Sequence, residues 1–264
     1  HGAGVRWEID IGDTYWLATL FYLGEWRELA RQHALLLRDA LERDDANAQH
    51  WLRSGRCNLA WLVAGRTDDA RTALAAVDKA LAPDDFHLTH LHALMGAANV
   101  DLARNDVAAA GARLRTAEDK LDRLGVDRMQ QPRIELAVLR ARLALGDTPR
   151  RAREARDLAR ALASEDVGWA RALGQLFAAA CAAWDGDLAA ATVQLQVAET
   201  ELEAAAMAGY AQIARFYRAQ IEGGPTGMAR AAAARDTLSD LGAASPEKLA
   251  RELVPWPSDE APSF

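Results

Sequence analysis

Apolar residues recur along this chain at helical spacing, and the pattern is cut at regular marks. In S-G-R-C-N-L-A-W-L-V-A-G, residues 54–65, an apolar helix ends at Gly65. R-T-D-D-A-R-T-A-L-A follows, with Thr67 placed as an N-cap and Asp68 and Asp69 in the first turn, where the helix dipole favours acids. The unit returns after L-F-Y-L at Gly24, V-D-L-A-R at Asn105, A-R-L-A-L at Gly146, A-A-W-D at Gly186 and R-A-Q-I-E at Gly223, in steps of 41, 40, 41, 40 and 37 residues. A fixed step of this size with a helix stop at each mark predicts a helical-hairpin solenoid. Each hairpin would bury its apolar face only against its neighbours, so the expectation is one continuous repeat domain over residues 5–254.

Read through, the pattern predicts helices over 5–23, 25–43, 46–64, 67–81, 86–104, 106–124 and 132–145. Another has Thr148 as N-cap and Pro149 at its first position. Further helices cover 167–185, 187–207 and 209–222, one follows G-G-P-T-G at 223–227, and a short one spans 245–254. Pro83, Asp84 and Asp85 make a break, and Gly125 a C-terminal stop. Residues 255–264 are proline-rich and expected to form a flexible tail. Alanine is abundant and period-2 alternation nearly absent, so the predicted fold is all-α. It is a right-handed solenoid of about six antiparallel hairpins with a C-terminal capping helix.

The first helix carries Trp7, Tyr15, Trp16, Phe21 and Tyr22, and Trp26 opens the second, whose apolar stripe is Leu29, 35–37 and Leu41. This reads as hairpin core plus an interface to a missing upstream segment, ahead of a ligand-stacking role. The net charge of −7 argues against nucleic acid, which is held by clustered Lys and Arg. No charge-free apolar run approaches 18 residues, so no membrane span is expected. H-G-A-G has neither the basic nor the apolar region of a signal peptide; residues 1–4 read as a cloning remnant, which suggests a fragment of a longer chain. Cys57 and Cys181 lie in apolar segments read as helices and are expected as free, buried thiols in a reducing, cytoplasmic setting.

Five residues beyond three of the stops stand Ala70, Ala110 and Ala191, and seven before two of them Ala98 and Ala179. That relation resembles a tetratricopeptide repeat, although the step here exceeds the roughly 34 residues of that family. Leu17, Asn58, Leu139 and Phe216 hold the other positions seven before a stop. Toward the C-terminus, G-Y-A-Q-I-A-R-F-Y-R-A-Q-I-E-G-G-P-T-G, a helix, then L-G-A-A-S-P-E-K-L-A-R-E-L-V-P, is similar to the end of large bacterial serine/threonine protein kinases. Gly223, Gly224 and Gly227 match that family's turn, and Gly242, Pro246, Leu253 and Pro255 its close. F-Y-L-G, N-L-A-W-L, F-H-L-T-H and G-W-A-R-A-L also have counterparts, so the resemblance covers nearly the whole chain after residue 5. Trp256, where glycine is usual, and Asn105, in place of a loop glycine, depart from it. The resemblance implies a tetratricopeptide-like region C-terminal to a kinase domain and often an ATPase-like module.

The chain contains no H-R-D, D-F-G or G-x-x-x-x-G-K-[ST], so any kinase active site would lie elsewhere. G-G-P-T-G is read as a helix stop and restart ahead of an anion site. His87 and His90 would share a helix face, with Asp84 or Asp85 as a third metal ligand, but solvated histidines are preferred and no metal or other cofactor is expected. Asp44–Asp45, Asp68–Asp69 and Asp84–Asp85 fall at helix ends, where turn chemistry explains them, and no enzyme is expected. Polar residues on the first helix of each hairpin remain as partner-binding candidates on a concave face: Arg53, Asn58, His90, Asn99, Arg140, Arg171, Gln175, Arg215 and Arg218. Such a groove could clamp a carboxylate or phosphorylated segment. The expected function is a non-catalytic interaction and sensor module that binds a protein or peptide, including an upstream kinase or ATPase domain of the same chain. The alternative is a small-molecule sensor domain of an ATPase-type regulator, which an aromatic-lined pocket would favour. An autonomous enzyme ranks last.

Overall fold

A computed structural model describes residues 3–81, 86–148 and 150–257, all helix, turn and loop with no strand among them. Expectations for Pro83, Asp84, Asp85, Pro149, residues 1–2 and residues 258–264 lie outside the described residues. The chain divides into two compact units. The first is His1–Arg128 with Leu241–Ser245; the second is Met129–Asp240 with Pro246–Phe264.

In the first unit run α1 (Ala3–Leu23), α2 (Trp26–Glu42), α3 (Ala46–Arg53), α4 (Leu59–Val63), α5 (Thr67–Ala80), α6 (Leu88–Ala103), α7 (Val107–Thr116) and α8 (Glu118–Leu124). Helices pack mainly on the next in sequence, and several also on the next but one. Gly24, Gly65 and Asn105 end their helices with φ near +84°, +71° and +62°, the left-handed conformation that glycine and asparagine enter most easily. Asp106 then caps α7, accepting from the Ala109 amide at 2.9 Å, and Asp45, after the end of α2, caps α3 through the Ala48 amide at 3.0 Å. Trp26 is fully buried, and its indole N–H donates to the Phe21 carbonyl at 2.9 Å, closing the first hairpin. Ala70, Ala98 and Ala110 are fully buried, as the close approach of paired helices requires.

Two expected helices in this unit are broken. The 46–64 segment splits at Ser54–Asn58 into α3 and α4, so Cys57 sits in a turn, not in a helix. Gly55 takes φ +54°, donates its amide to the His92 carbonyl at 2.8 Å, and would bring a Cβ to 3.1 Å from that of His92. The 106–124 segment splits at Ala117 into α7 and α8. Thr67 is the first residue of α5; the N-cap position is Arg66, which makes no side-chain cap. Leu241–Ser245, far along the sequence, joins this unit. Ala244 donates to the Val63 carbonyl at 3.0 Å, and a Cβ at Gly242 would lie 2.5 Å from the Arg27 nitrogen. Contacts there are not confined to sequence neighbours.

The second unit holds α9 (Gln130–Gly146), α10 (Ala152–Ala163), α11 (Gly168–Trp184), α12 (Leu188–Ala204), α13 (Ala208–Glu222), α14 (Gly224–Leu241) and α15 (Pro246–Leu253). α9 ends at Gly146, where the stop was expected, although that glycine is not left-handed; Thr148 makes no cap, its hydroxyl donating back to the Ala144 carbonyl at 3.2 Å, and α10 starts at Ala152. α14 begins at Gly224, so Pro225, Thr226 and Gly227 form its first turn and not a loop before it. At Gly174 the backbones of α10 and α11 nearly touch; a Cβ there would lie 2.2 Å from the Ala163 nitrogen. Carbonyls in the last turn of α15 and just after it are taken by side-chain donors. Arg142 Nε donates to Glu252 O at 2.8 Å, the Tyr217 hydroxyl to Val254 O at 2.8 Å, and Trp184 Nε1 to Pro255 O at 3.4 Å. A guanidinium at a helix C-terminus also complements the dipole. Trp256 stacks on Tyr217 at 4.3 Å and 8°. The tail expected from residue 255 is therefore anchored at least through Trp256.

Candidate functional site

α2 and α5 of the first unit each pack on the short α4 and leave a groove of about 520 Å³ over it. Its surface is mostly small and apolar: Ala30, Ala34, Leu37 and Leu41 from α2, Ala60, Trp61 and Ala64 from and just after α4, Ala73 and Ala76 from α5. The break at Ser54–Asn58 ends α3 before this region, so the floor is one and a half turns of α4. Leu35 and Leu41 are 44% and 49% exposed, and the stripe expected to be core on α2 is buried only at Leu29.

His33 lies in the groove wall and is 3% exposed. Its Nε2 is 2.8 Å from the Leu52 carbonyl, and a carbonyl only accepts, so Nε2 carries the proton. Nδ1 is left as an acceptor with no hydrogen bond among the described residues. The ring meets Trp61 edge-on at 4.4 Å. Burial pushes the imidazole pKa down and Arg66 adds to this, against the bond to Leu52, so the ring is neutral near pH 7.

Arg38, Arg53, Arg66 and Asp69 carry the charges of the groove. Arg66 pairs with Asp69 at 2.7 Å. Arg53 bonds the side-chain amide oxygen of Gln49 at 3.1 Å, and neither it nor Arg38 has a carboxylate partner among the described residues. The groove is thus positive on a chain of net charge −7.

Of the nine residues expected to bind a partner, only Arg53 reaches this groove. Asn58 is fully buried: its amide donates to the carbonyls of Arg53 at 2.9 Å and Ala70 at 3.1 Å, tying the α3–α4 break to α5. Asn99 is buried as well, so neither asparagine is a surface contact. His90 accepts from the His87 amide at 3.4 Å and His87 from that of Thr89 at 3.3 Å, a reciprocal cap at the start of α6. His87 is thus outside the helix, and no group of three metal-binding side chains occurs among the described residues.

In the second unit Arg140 and Gln175 are half-buried. Arg171 stands 4.0 Å from Glu201, Arg215 pairs with Glu199 at 2.7 Å and with Glu203, and Arg218 pairs with Glu199 at 3.0 Å. These arginines are answered by acids of α12, a pairing that hairpin spacing alone did not reveal. A separate cavity of about 640 Å³ opens beside α13 and α14, lined by Leu188, Phe216, Ile221, Met228, Trp256 and others, with Arg235, Glu247 and Arg251 also in its wall. His33, Trp61, Arg38 and Arg66 were not foreseen. The available signal was the stripe Ala30, Ala34, Leu37, Leu41, whose alanines are small enough to leave a gap.

No family model, no curated protein and no solved structure matches the chain.

Proposed function

We propose that the chain is a non-catalytic interaction and sensor module that takes a segment of a protein partner in the groove of its first unit. The observation that carries this reading is an apolar floor flanked by two arginines without carboxylate partners among the described residues. An exposed apolar surface with unanswered charge is the composition of a recognition site. The sequence-adjacent packing of paired helices supports reading the repeat as tetratricopeptide-like, a right-handed stack of about six hairpins. The resemblance to the C-terminal regions of large bacterial serine/threonine kinases supports a regulatory role toward such a kinase, in the cytoplasm, where Cys57 and Cys181 stay free thiols. No described helix is long and apolar enough to cross a membrane.

The test compares capture of proteins from a bacterial lysate by the intact chain and by Ala73→Trp, which fills the groove. The expected result is a defined protein held by the first and lost from the second, with circular dichroism unchanged. A partner held equally by both overturns the groove as the site. The second reading, a small-molecule sensor, draws on the cavity of the second unit with Phe216 and Trp256 in its wall. Saturable binding of an apolar metabolite abolished by Met228→Glu, with no protein captured, would favour it.

A further inference from the structure

We infer that the groove of the first unit receives an amphipathic α-helix of about three turns whose flanks are acidic; the inference rests on the groove being the partner site. Ala30 to Leu41 of α2 forms one wall, and at 1.5 Å rise per residue this is roughly 16 Å, the length of three helical turns. The surfaces of α2, α4 and α5 are helical, so their backbone groups are already paired. An extended peptide laid on them would find no strand edge and would leave its own N–H and C=O groups against alanine and leucine. A helix satisfies these groups internally and offers side chains at i, i+3, i+4 and i+7. Alanines at 30, 34, 73 and 76 leave room for leucine- or phenylalanine-sized anchors.

Charge selects among such helices. Arg38 and Arg53 hold no acid among the described residues, on a chain whose net charge is −7. Carboxylates beside the apolar face of the docked helix complete both arginines.

The experiment titrates the intact chain calorimetrically with three synthetic helical peptides. They share leucines at i, i+3, i+4 and i+7 and carry Glu, Gln or Lys on the flanks. The Glu peptide is expected to bind about tenfold more tightly than the Gln twin, with the difference shrinking in salt, and the Lys twin not to bind. Arg38→Glu alters an exposed side chain that has no ion-pair partner among the described residues. It is expected to erase the advantage of the Glu peptide, and Ala34→Trp to abolish binding of both the Glu and the Gln peptide. Equal affinity of Glu and Gln peptides, both lost in Ala34→Trp, overturns the acidic class and leaves groove docking standing. Binding indifferent to Ala34→Trp overturns the groove itself. No peptide binding, or binding of an RNA oligonucleotide at Arg38 in place of a peptide, overturns the helical partner.

Discussion

The first unit breaks two of its expected helices, at Ser54–Asn58 and at Ala117, whereas each expected helix of the second unit forms one continuous element. The repeat step is similar in both, 41 and 40 residues between the stops of the first and 40 and 37 between those of the second. In the first unit, Gly55 turns the chain against His92, Asn58 holds the turn to α5, and a shortened α4 leaves a groove. In the second, Gly174 lets α10 and α11 meet backbone to backbone, and Arg142, Tyr217 and Trp184 bind the chain end. The comparison teaches that a regular step sets where hairpins begin, while single small or polar residues decide whether a helix runs on and closes its surface or breaks and opens it.

The largest effect should come from Gly174→Ala. Its methyl would lie 2.2 Å from Ala163 N and 2.7 Å from Ala163 Cα, and both contacts are backbone that cannot rotate away. A loss of about 3 kcal/mol or more is expected, read as a lower urea midpoint with faster amide exchange in α10 and α11. At Gly168, where a methyl would meet nothing within 4 Å, the same change should stabilise by about 0.5 kcal/mol. If both substitutions behave alike, close backbone contact is not what holds α10 against α11.

Acid sharpens the comparison, because all six histidines belong to the first unit. Burial, reinforced by Arg56, pushes His92 down to about 4, and burial lowers His33 and His50 too. The unfolded chain binds these protons near pH 6.5, before the folded chain does, so stability falls as pH drops from about 6.5 toward 4. His92 alone contributes up to about 3 kcal/mol of this loss. Asp13 and Glu252, raised chiefly by burial, shift the opposite way, one in each unit, and so favour neither. Amide-exchange protection, measured relative to the intrinsic rate at each pH, should fall between pH 7 and pH 5 more in α3–α6 than in α9–α13; an equal fall in both would sink this assignment.

Asn58→Ala removes two hydrogen bonds to backbone carbonyls at the α3–α4 turn and should cost about 2 kcal/mol, with exchange rising in α4 and α5. Tyr217→Phe frees the Val254 carbonyl and should cost about 1 kcal/mol, seen as loosening of α15. Arg215→Gln removes two partly exposed ion pairs and should move stability by less than about 1 kcal/mol. A larger loss there would show that the α12–α13 surface is held by charge and not by Leu195 and Ile213 beneath it.

Most of the fold was legible in order and position. Helix stops at Gly24, Gly65, Asn105, Gly186 and Gly223, all left-handed, follow from local backbone preference and need no distant contact. α9 also stops at Gly146, but without a left-handed residue there. Arg53 alone of the groove's polar residues was foreseen. Asn58 and Asn99 looked like surface side chains because a helical period does not say which polar residue meets a buried carbonyl. Arg215 and Arg218 looked open because their partner Glu199 lies on another helix.

The sequence by itself determined that this is an all-helical chain of hairpins about forty residues long, because capping, helix stops and apolar periodicity act within a few residues of each other. Only the tertiary structure decided which helices break, which arginines keep a free charge, and that a histidine and a tryptophan meet beside alanines in a groove. Those outcomes depend on distances between side chains of separate helices, and no local preference along the chain encodes them.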